Sequence, residues 1–442
     1  MPTTRRLWNR VQKRFPTCIK RTRSNSLKRN FKPLEETKYE FLFTSIDVAQ
    51  TDFSLSLLRE LGAKESRIIS PASFTMLLTM LMKGAKGRTK EEVMKLLGGG
   101  ESEERVEEHF TKLLQELARE NPNFELKTAN RLYVDSGRKL LEEFMTKFEE
   151  AYPNALKVAD FNKKAVVAEE INDFVKETTN GILSDVICAE DVDKTMPMIG
   201  INAIYFKANW AWRFNQAKTT LRDFHLRRSK SVKVRMMFDK HHFLYTKDND
   251  WQVLGLPYSG HETAMFVFLP RKQNELKSLE RKLTGERCLN LIKRAGCNSQ
   301  FMMVYMPVFK ISTDLSARDH FHALGMKTAL DPFNADFSEM DGVDSLGERL
   351  FLGDIKHNAI IEVNEDGTIV VAVSFGIEYG CSGIPSPLVP MFNANHPFLF
   401  FIVKGADLLF AGRCAEESSF EKTLPDFEEL YNGSRKRSKD CE

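Results

Sequence analysis

No apolar run in this sequence approaches the roughly 18 residues that a membrane-spanning helix needs, so no membrane association is expected. Nor is there a Gly-x-Gly-x-x-Gly or a Walker loop; Gly84-Ala85-Lys86-Gly87-Arg88-Thr89 resembles a phosphate cradle only superficially. A Gly-x-Ser-x-Gly nucleophile elbow is missing too. The seven cysteines, Cys18, Cys188, Cys288, Cys297, Cys381, Cys414 and Cys441, are odd in number, and no pair has zinc or redox-motif spacing. Free thiols in a reducing compartment follow as the simplest expectation. His241-His242 and His320-x-His322 have no acid or thiol at ligand spacing, so neither a metal nor a cofactor is expected. Cys381 lies in Gly380-Cys381-Ser382-Gly383 with no helix start or nearby base to lower its pKa. Enzymatic catalysis is therefore not expected.

One sign of charge is absent from the first 32 residues. They carry eleven lysines and arginines and no acid, while the whole chain is net +3, which leaves the remainder at −8. The basicity is thus an appendage on an acidic body. The stretch lacks a 7–15-residue apolar h-region, so a secretory signal is not read there and the cytoplasm is the expected location. Release by an unconventional route, or a true start further downstream, would instead put the protein in the extracellular space. Residues 1–45 read as a disordered basic extension. Only through this arm is nucleic-acid binding conceivable, and it would be salt-sensitive and unspecific.

With 42% apolar and 28% charged residues, the chain has the composition of a globular protein with a sizeable core. The spacing predicts a helix at Ala49–Leu61 and a second one capped by Ser70 with Pro71 at its first position. The second is apolar nearly all round (Phe74 to Met82), which demands central burial. Thr89 to Glu92 reads as a capping box for a short helix ending at Gly98-Gly99-Gly100. Residues 102–119 form an amphipathic helix whose acidic outer face argues against heparin binding. Helices are expected near 139–151 and 165–178. Strands are expected at Phe124–Val134, Met198–Phe206, Val232–Met237, Trp251–Leu256, Ala264–Leu269 and Phe301–Phe309, and a buried hairpin at Phe398–Arg413. Helices first and strands later imply one α+β domain over 46–415, with a polar tail at 416–442.

Glu362 to Pro397 breaks the pattern. Thr368 to Phe375 favours an extended backbone, yet it runs into a stretch punctuated by Gly376, Gly380, Gly383, Pro385, Pro387 and Pro390. Loops this long in a compact domain are usually functional or disordered. Alternation gives the strand-like stretch a small, uncharged face of Thr368, Val370, Ala372 and Ser374. Such a face can enter between two strands, whereas a charged one cannot.

Glu362-Val363-Asn364-Glu365-Asp366-Gly367-Thr368 followed by Phe392-x-Ala394-Asn395-His396-Pro397-Phe398 resembles the reactive loop and C-terminal signature of the serpins, of an intracellular-type or invertebrate kind. Ile69-Ser70-Pro71-x-Ser73, Ala129-Asn130-Arg131-Leu132-Tyr133, Ile171-Asn172-x-Phe174-Val175, Asn202-Ala203-Ile204-Tyr205-Phe206-Lys207-x-x-Trp210, Leu256-Pro257-Tyr258 and Leu324-Gly325-Met326 extend the likeness over about 46–415. The resemblance implies a fold of three β-sheets and about nine helices, held in a metastable state with an exposed reactive loop, and a monomer. It implies inhibition of a serine or cysteine protease: the protease cleaves the loop, is trapped as an acyl-enzyme, and the loop enters the large sheet as a new strand. Loop insertion in serpins is itself an established instance of strand addition and conformational switching.

By the same resemblance Glu365, Gly367, Thr368, Val370, Ala372 and Ser374 form the hinge. Ser70, Ser73, Asn202 and His357 form a polar "shutter" under the sheet, and Trp210 marks the "breach" where insertion begins. Phe392, His396, Pro397 and Phe398 carry the signature. Counting from Gly367 puts the reactive bond at Cys381-Ser382; counting back from Phe392 lands near Gly383, and Phe375 and Tyr379 stay open. No lysine or arginine occurs between Gly367 and Val403, which disfavours a trypsin-like target. Two departures bear on insertion, besides His357-Asn358 where the family usually has His-Lys. Ile369, Val370, Val371 and Val373 stand where the family prefers alanine. Met306-Pro307-Val308 lacks the lysine that usually pairs with the glutamate, so Glu365 is expected to have no cation. Both leave open an alternative, a non-inhibitory serpin acting as a binding or chaperone-like protein.

Overall fold

The computed structural model describes residues 41–119, 121–227, 229–341, 349–368 and 389–420. In chain order the elements are α1 (Ser45–Glu60), β1 (Arg67–Ile69), α2 (Pro71–Gly84), α3 (Gly87–Gly98), α4 (Glu103–Ala118), β2 (Phe124–Asp135), α5 (Glu142–Ala151), β3 (Leu156–Ala159), α6 (Lys164–Thr178) and β4 (Met198–Asn209). Next come β5 (Thr220–Arg227), β6 (Lys230–Lys247), β7 (Trp251–Pro257), β8 (Thr263–Pro270), α7 (Leu276–Lys282), α8 (Gly285–Gly296), β9 (Ser299–Pro307), β10 (Phe309–Ser316) and α9 (Arg318–Ala323). The chain ends in β11 (Asp354–Val363), β12 (Gly367–Thr368), β13 (Met391–Asn393), β14 (Phe398–Lys404) and β15 (Asp407–Cys414). Among the described residues this is the expected α+β composition, with nine α-helices.

One sheet runs in the order β10-β11-β12-β4-β2-β3. The other runs β1-β15-β14-β8-β7-β6-β9-β13, with β5 joined to β6. The second and third expected sheets share the 18-residue β6. Its first half pairs with β5 (Thr220↔Met236) and its last residues pair with β7 (Leu244↔Gly255).

The six-stranded sheet is covered on both faces, and alternation in β4 shows how. Ile199, Ile201 and Ala203 join Val167, Ile171 and Val175 of α6 in a small core. Met198, Ile204 and Phe206 join the main core with α2. Ser70 caps α2 and Pro71 opens it, as its sequence implies, and the helix is buried over most of its surface. At Gly200 an added Cβ would lie 2.7 Å from Leu77 Cδ2, so only glycine lets α2 approach β4 this closely.

Local details differ from the sequence reading where tertiary contacts take over. α1 begins earlier, at a Thr44–Asp47 capping box, and Phe41, within the stretch expected to be disordered, is buried and stacked on Phe43. The capping box expected at Thr89–Glu92 is a correction. α3 starts at Gly87 after Lys86, without a side-chain cap. Thr89 Oγ1 instead accepts the Asp336 N–H at 2.9 Å, and Glu92 accepts the N–H groups of Lys327 and Thr328. These side chains staple α3 to the segment after α9, a longer-range use of the same hydrogen-bonding groups.

Arg413 of β15 is fully buried. It meets Glu280 of α7 at 2.5 Å and donates to the carbonyls of Leu58, Gly62 and Glu65. Burial pushes the Glu280 carboxyl up, and Arg413 opposes that shift. Truncating one partner leaves an uncompensated buried charge, so Glu280→Ala is expected to cost about 3–5 kcal/mol. Replacing both residues with apolar ones of similar volume should cost far less. Denaturant midpoints of the two variants check this.

Candidate functional site: the seam between two parallel strands

β4 and β11 lie side by side and parallel from Asp354↔Ile199 to Ile360↔Tyr205. Above Tyr205 they diverge. Gly367 and Thr368 stand between them as β12, antiparallel to both, with Thr368 opposite Ala208 of β4 and Val363 of β11. The seam thus has a closed section and an end that already holds the first two residues of another strand.

In the closed section the polar residues expected as a shutter come together as two linked pairs. His357 Nδ1 is 2.5 Å from Asn202 Oδ1, directly across the seam in register. The His357 ring packs on Phe74 of α2 with centroids 4.3 Å apart. Burial alone holds the imidazole down to about 3, so the ring is neutral. The Ser73 hydroxyl donates to Asn130 Oδ1 at 3.0 Å. The Ser70 hydroxyl donates to the Leu409 carbonyl at 2.8 Å, while its oxygen accepts the Ser73 N–H at 3.1 Å. Asn130 pairs in register with Asn202, which joins the two groups. In the sequence Asn130 stands within a motif but carries no sign of a site role; its place opposite Asn202 is fixed only by the β2–β4 register.

At the open end, Trp210 stacks on Tyr258 with centroids 4.6 Å apart and planes 10° from parallel. Its indole N–H donates to the Asn364 carbonyl at 2.9 Å, and its backbone N–H to that of Asp366. Arg213 meets Asp366 at 3.4 Å. The Tyr258 hydroxyl is 2.8 Å from Thr368 Oγ1. Thr368 is fully buried and faces the main core, the side assigned to it by alternation. Gly367 is needed for close approach: an added Cβ would collide with the Ala208 carbonyl oxygen and lie 2.7 Å from Asn209 Cα.

The expectation that Glu365 lacks a cation is corrected. Its carboxylate meets Arg235 of β6 at 2.9 Å and accepts the Thr219 hydroxyl at 2.7 Å, nearly out of reach of water. β6 lies beside β9 in the sheet, and Val308 N–H donates to the Arg235 carbonyl. The cation therefore arrives from the strand next to Met306-Pro307, a substitution in space that the one-dimensional motif does not reveal.

The signature residues fix the other end of the loop. Phe392 is buried in β13, which pairs with β9. His396 Nε2 is 3.0 Å from the Pro270 carbonyl, Pro397 follows it, and Phe398 opens β14 within the core. Val370, Ala372, Ser374, Phe375, Tyr379, Cys381, Ser382 and Gly383 lie outside the described residues, as do the basic arm to residue 40 and the tail from 421.

This fold and seam define a protein whose six-stranded sheet holds two residues, Gly367-Thr368, between the diverging ends of β4 and β11. Residues 48–416 match the serpin (serine protease inhibitor) family. The chain is 32% identical over 377 residues to leukocyte elastase inhibitor A of Rattus norvegicus, covering 83% of this chain and 97% of that protein. It is 33% identical over 383 residues to serpin B6 of Bos taurus, covering 84% and 98%. Among solved structures it is similar to Serpin48, described as a highly specific serpin of the insect Tenebrio molitor, at 28% identity and a TM-score of 0.72, covering 84% and 98%. The chain belongs to the serpin family.

Proposed function

We propose that the protein inhibits serine, and on the same chemistry cysteine, proteases by offering its loop for cleavage and inserting the freed strand between β4 and β11. The observation that carries this reading is Gly367-Thr368, already hydrogen-bonded between the two strands where they diverge. Continuing that strand downward would bring Val370, Ala372 and Ser374 onto the core side in turn. Each new backbone hydrogen bond nets only about 0.5–1.5 kcal/mol, but a full strand adds many, together with apolar burial. On this reading Trp210, Tyr258, Glu365 and Arg235 hold the entry, and Ser70, Ser73, Asn130, Asn202 and His357 latch the section still to be opened.

Cys381-Ser382 is our reading of the reactive bond, with Phe375, Tyr379 and Gly383 as alternatives. The absence of lysine and arginine from Gly367 to Val403 favours chymotrypsin-like or elastase-like targets, and the name of the rat relative points the same way. The thiols of Cys188, Cys288 and Cys414 are in no disulfide, which supports a reducing, cytoplasmic setting. The alternative of a binding or chaperone-like serpin rests on a β-branched hinge and an unpaired Glu365; the Arg235 pair removes the second support.

Incubation with a panel of chymotrypsin-like, elastase-like and cysteine proteases is expected to give SDS-stable complexes with at least one. Mass spectrometry of the released C-terminal fragment will fix the scissile bond. Cleavage by every protease without complex formation, and without a rise in thermal midpoint of the cut protein, would overturn the proposal.

A further inference from the structure

Away from the seam, Asp47 in the first turn of α1, His109 of α4 and Asp407 at the start of β15 point ligand atoms at one spot. One atom from each lies within 4.8 Å of the other two. Asp47 is 2% exposed, and its two carboxylate oxygens do different things. Oδ2 accepts the Thr44 N–H at 2.6 Å and the Thr44 hydroxyl at 2.8 Å, completing the cap of α1. Oδ1 is buried with no hydrogen-bond partner and faces His109 Nε2 at 3.7 Å, which is likewise buried and unpartnered. Leaving a buried acceptor unsatisfied costs about 1–3 kcal/mol. Two carboxylates and an imidazole nitrogen are gathered here, and with the ring proton on Nδ1 their lone pairs would face one another, an arrangement that a cation among them would relieve.

We propose that Asp47, His109 and Asp407 form a binding site for a divalent cation of the zinc class. One imidazole nitrogen and two carboxylate oxygens suit zinc or its neighbours cobalt and nickel, with a fourth position left for water. Tetrahedral bonds of about 2.0–2.2 Å put ligand atoms roughly 3.4 Å apart, so the 3.7 Å between His109 and Asp47 is close to the bound spacing. Asp407 is half-buried at the start of β15, next to the Gly405-Ala406 turn. A proton on His109 is the competing occupant. Cationic relief from neighbouring elements is partial: Lys404 is engaged with Glu116, and Lys112 with Glu108. The ion would tie α1 and α4 to the β14–β15 hairpin. The three residues come from distant stretches with no motif spacing, which is why the sequence reading expects no metal.

The test uses the full chain stripped with a chelator and titrated calorimetrically with zinc chloride at neutral pH. One site of about micromolar affinity or tighter is expected, with a thermal midpoint raised by roughly 3 °C at hundredfold excess over Kd. His109→Gln and Asp407→Asn, which keep side-chain size and leave the Asp47 cap intact, should each lose that site, whereas His241→Gln should keep it. In the unaltered protein, zinc at ten times Kd should slow diethylpyrocarbonate modification of His109 about tenfold, read by peptide mass spectrometry. That measurement needs no variant. Zinc that binds equally to both variants, or leaves His109 unprotected, overturns the proposal. So does the absence of binding, which would mark the cluster as a proton site only.

Discussion

On the proposed mechanism, Thr368→Arg is expected to turn a protease trap into a protease substrate. Thr368 is fully buried between β4 and β11, and its hydroxyl lies 2.8 Å from that of Tyr258, itself fully buried. An arginine there would meet Trp210, Tyr258 and Ala208, with Glu365 already engaged by Arg235. A buried unpaired charge costs several kcal/mol. In the uncut protein residues 367–368 can withdraw from the gap, whereas the inserted strand must bury the arginine, so on the proposed mechanism the cost falls on insertion; a barrier raised by about 3 kcal/mol slows it roughly a hundredfold, enough for the acyl-enzyme to hydrolyse first. The region of the scissile bond, beyond Phe375, is untouched, so cleavage should proceed at close to the original rate. Thr368→Ser keeps the hydroxyl and should keep inhibition. The measurement is the fraction of protease captured as SDS-stable complex per loop cleaved; equal capture by Thr368→Arg and the parent would rule out entry through this gap.

Much of this is legible along the chain, and the reasons are local. Ser70-Pro71 announces a helix start because cap and first-turn preferences depend on neighbours in sequence. β4 and the final hairpin are visible as apolar runs because both of their faces are buried. Alternation assigns Thr368, Val370, Ala372 and Ser374 to one face, and Thr368, the described member of that set, is buried. β1, β3 and β5 escape the pattern: each is short or, like β5, largely exposed, with no run or alternation to mark it. β11 is recognisable only at His357, since one side carries Lys356, Asn358 and Glu362 and the histidine interrupts an otherwise apolar inner side. The Glu365 partner is hidden for a different reason. A motif search asks which residue occupies one position, whereas an ion pair asks which charge occupies one volume, and Arg235 reaches that volume from another strand. Asn130 and the Asp47–His109–Asp407 cluster are illegible on the same ground: register and packing create them.

Below about pH 6.5 the native state should lose stability through His357, and the seam should open with it. The ring is buried and neutral, held down to about 3 by burial alone, while an exposed histidine titrates near 6.5. A folded value below the unfolded one means that the stabilising contribution is fully present above 6.5 and is lost as pH falls toward 3. Within that window each pH unit removes about 1.4 kcal/mol. Protonation has a specific structural consequence. His357 bridges β11 to Asn202 of β4 and packs against Phe74, so water can reach the cation only if the two strands separate where the loop strand would enter. Acid should therefore promote loop insertion into the sheet, of the same or of another molecule. His357→Gln keeps a hydrogen-bonding group toward Asn202 but cannot titrate. The variant should be less stable than the parent at pH 7.5 and close the difference by about 1.4 kcal/mol per unit between pH 6.5 and 4.5. His109, His261 and His396 also have depressed values, but they are common to both proteins and cancel in the comparison. Denaturant midpoints across this range, with native gels to follow polymer formation, decide the matter: a parent–variant difference that stays constant with pH would mean that His357 does not gate the seam.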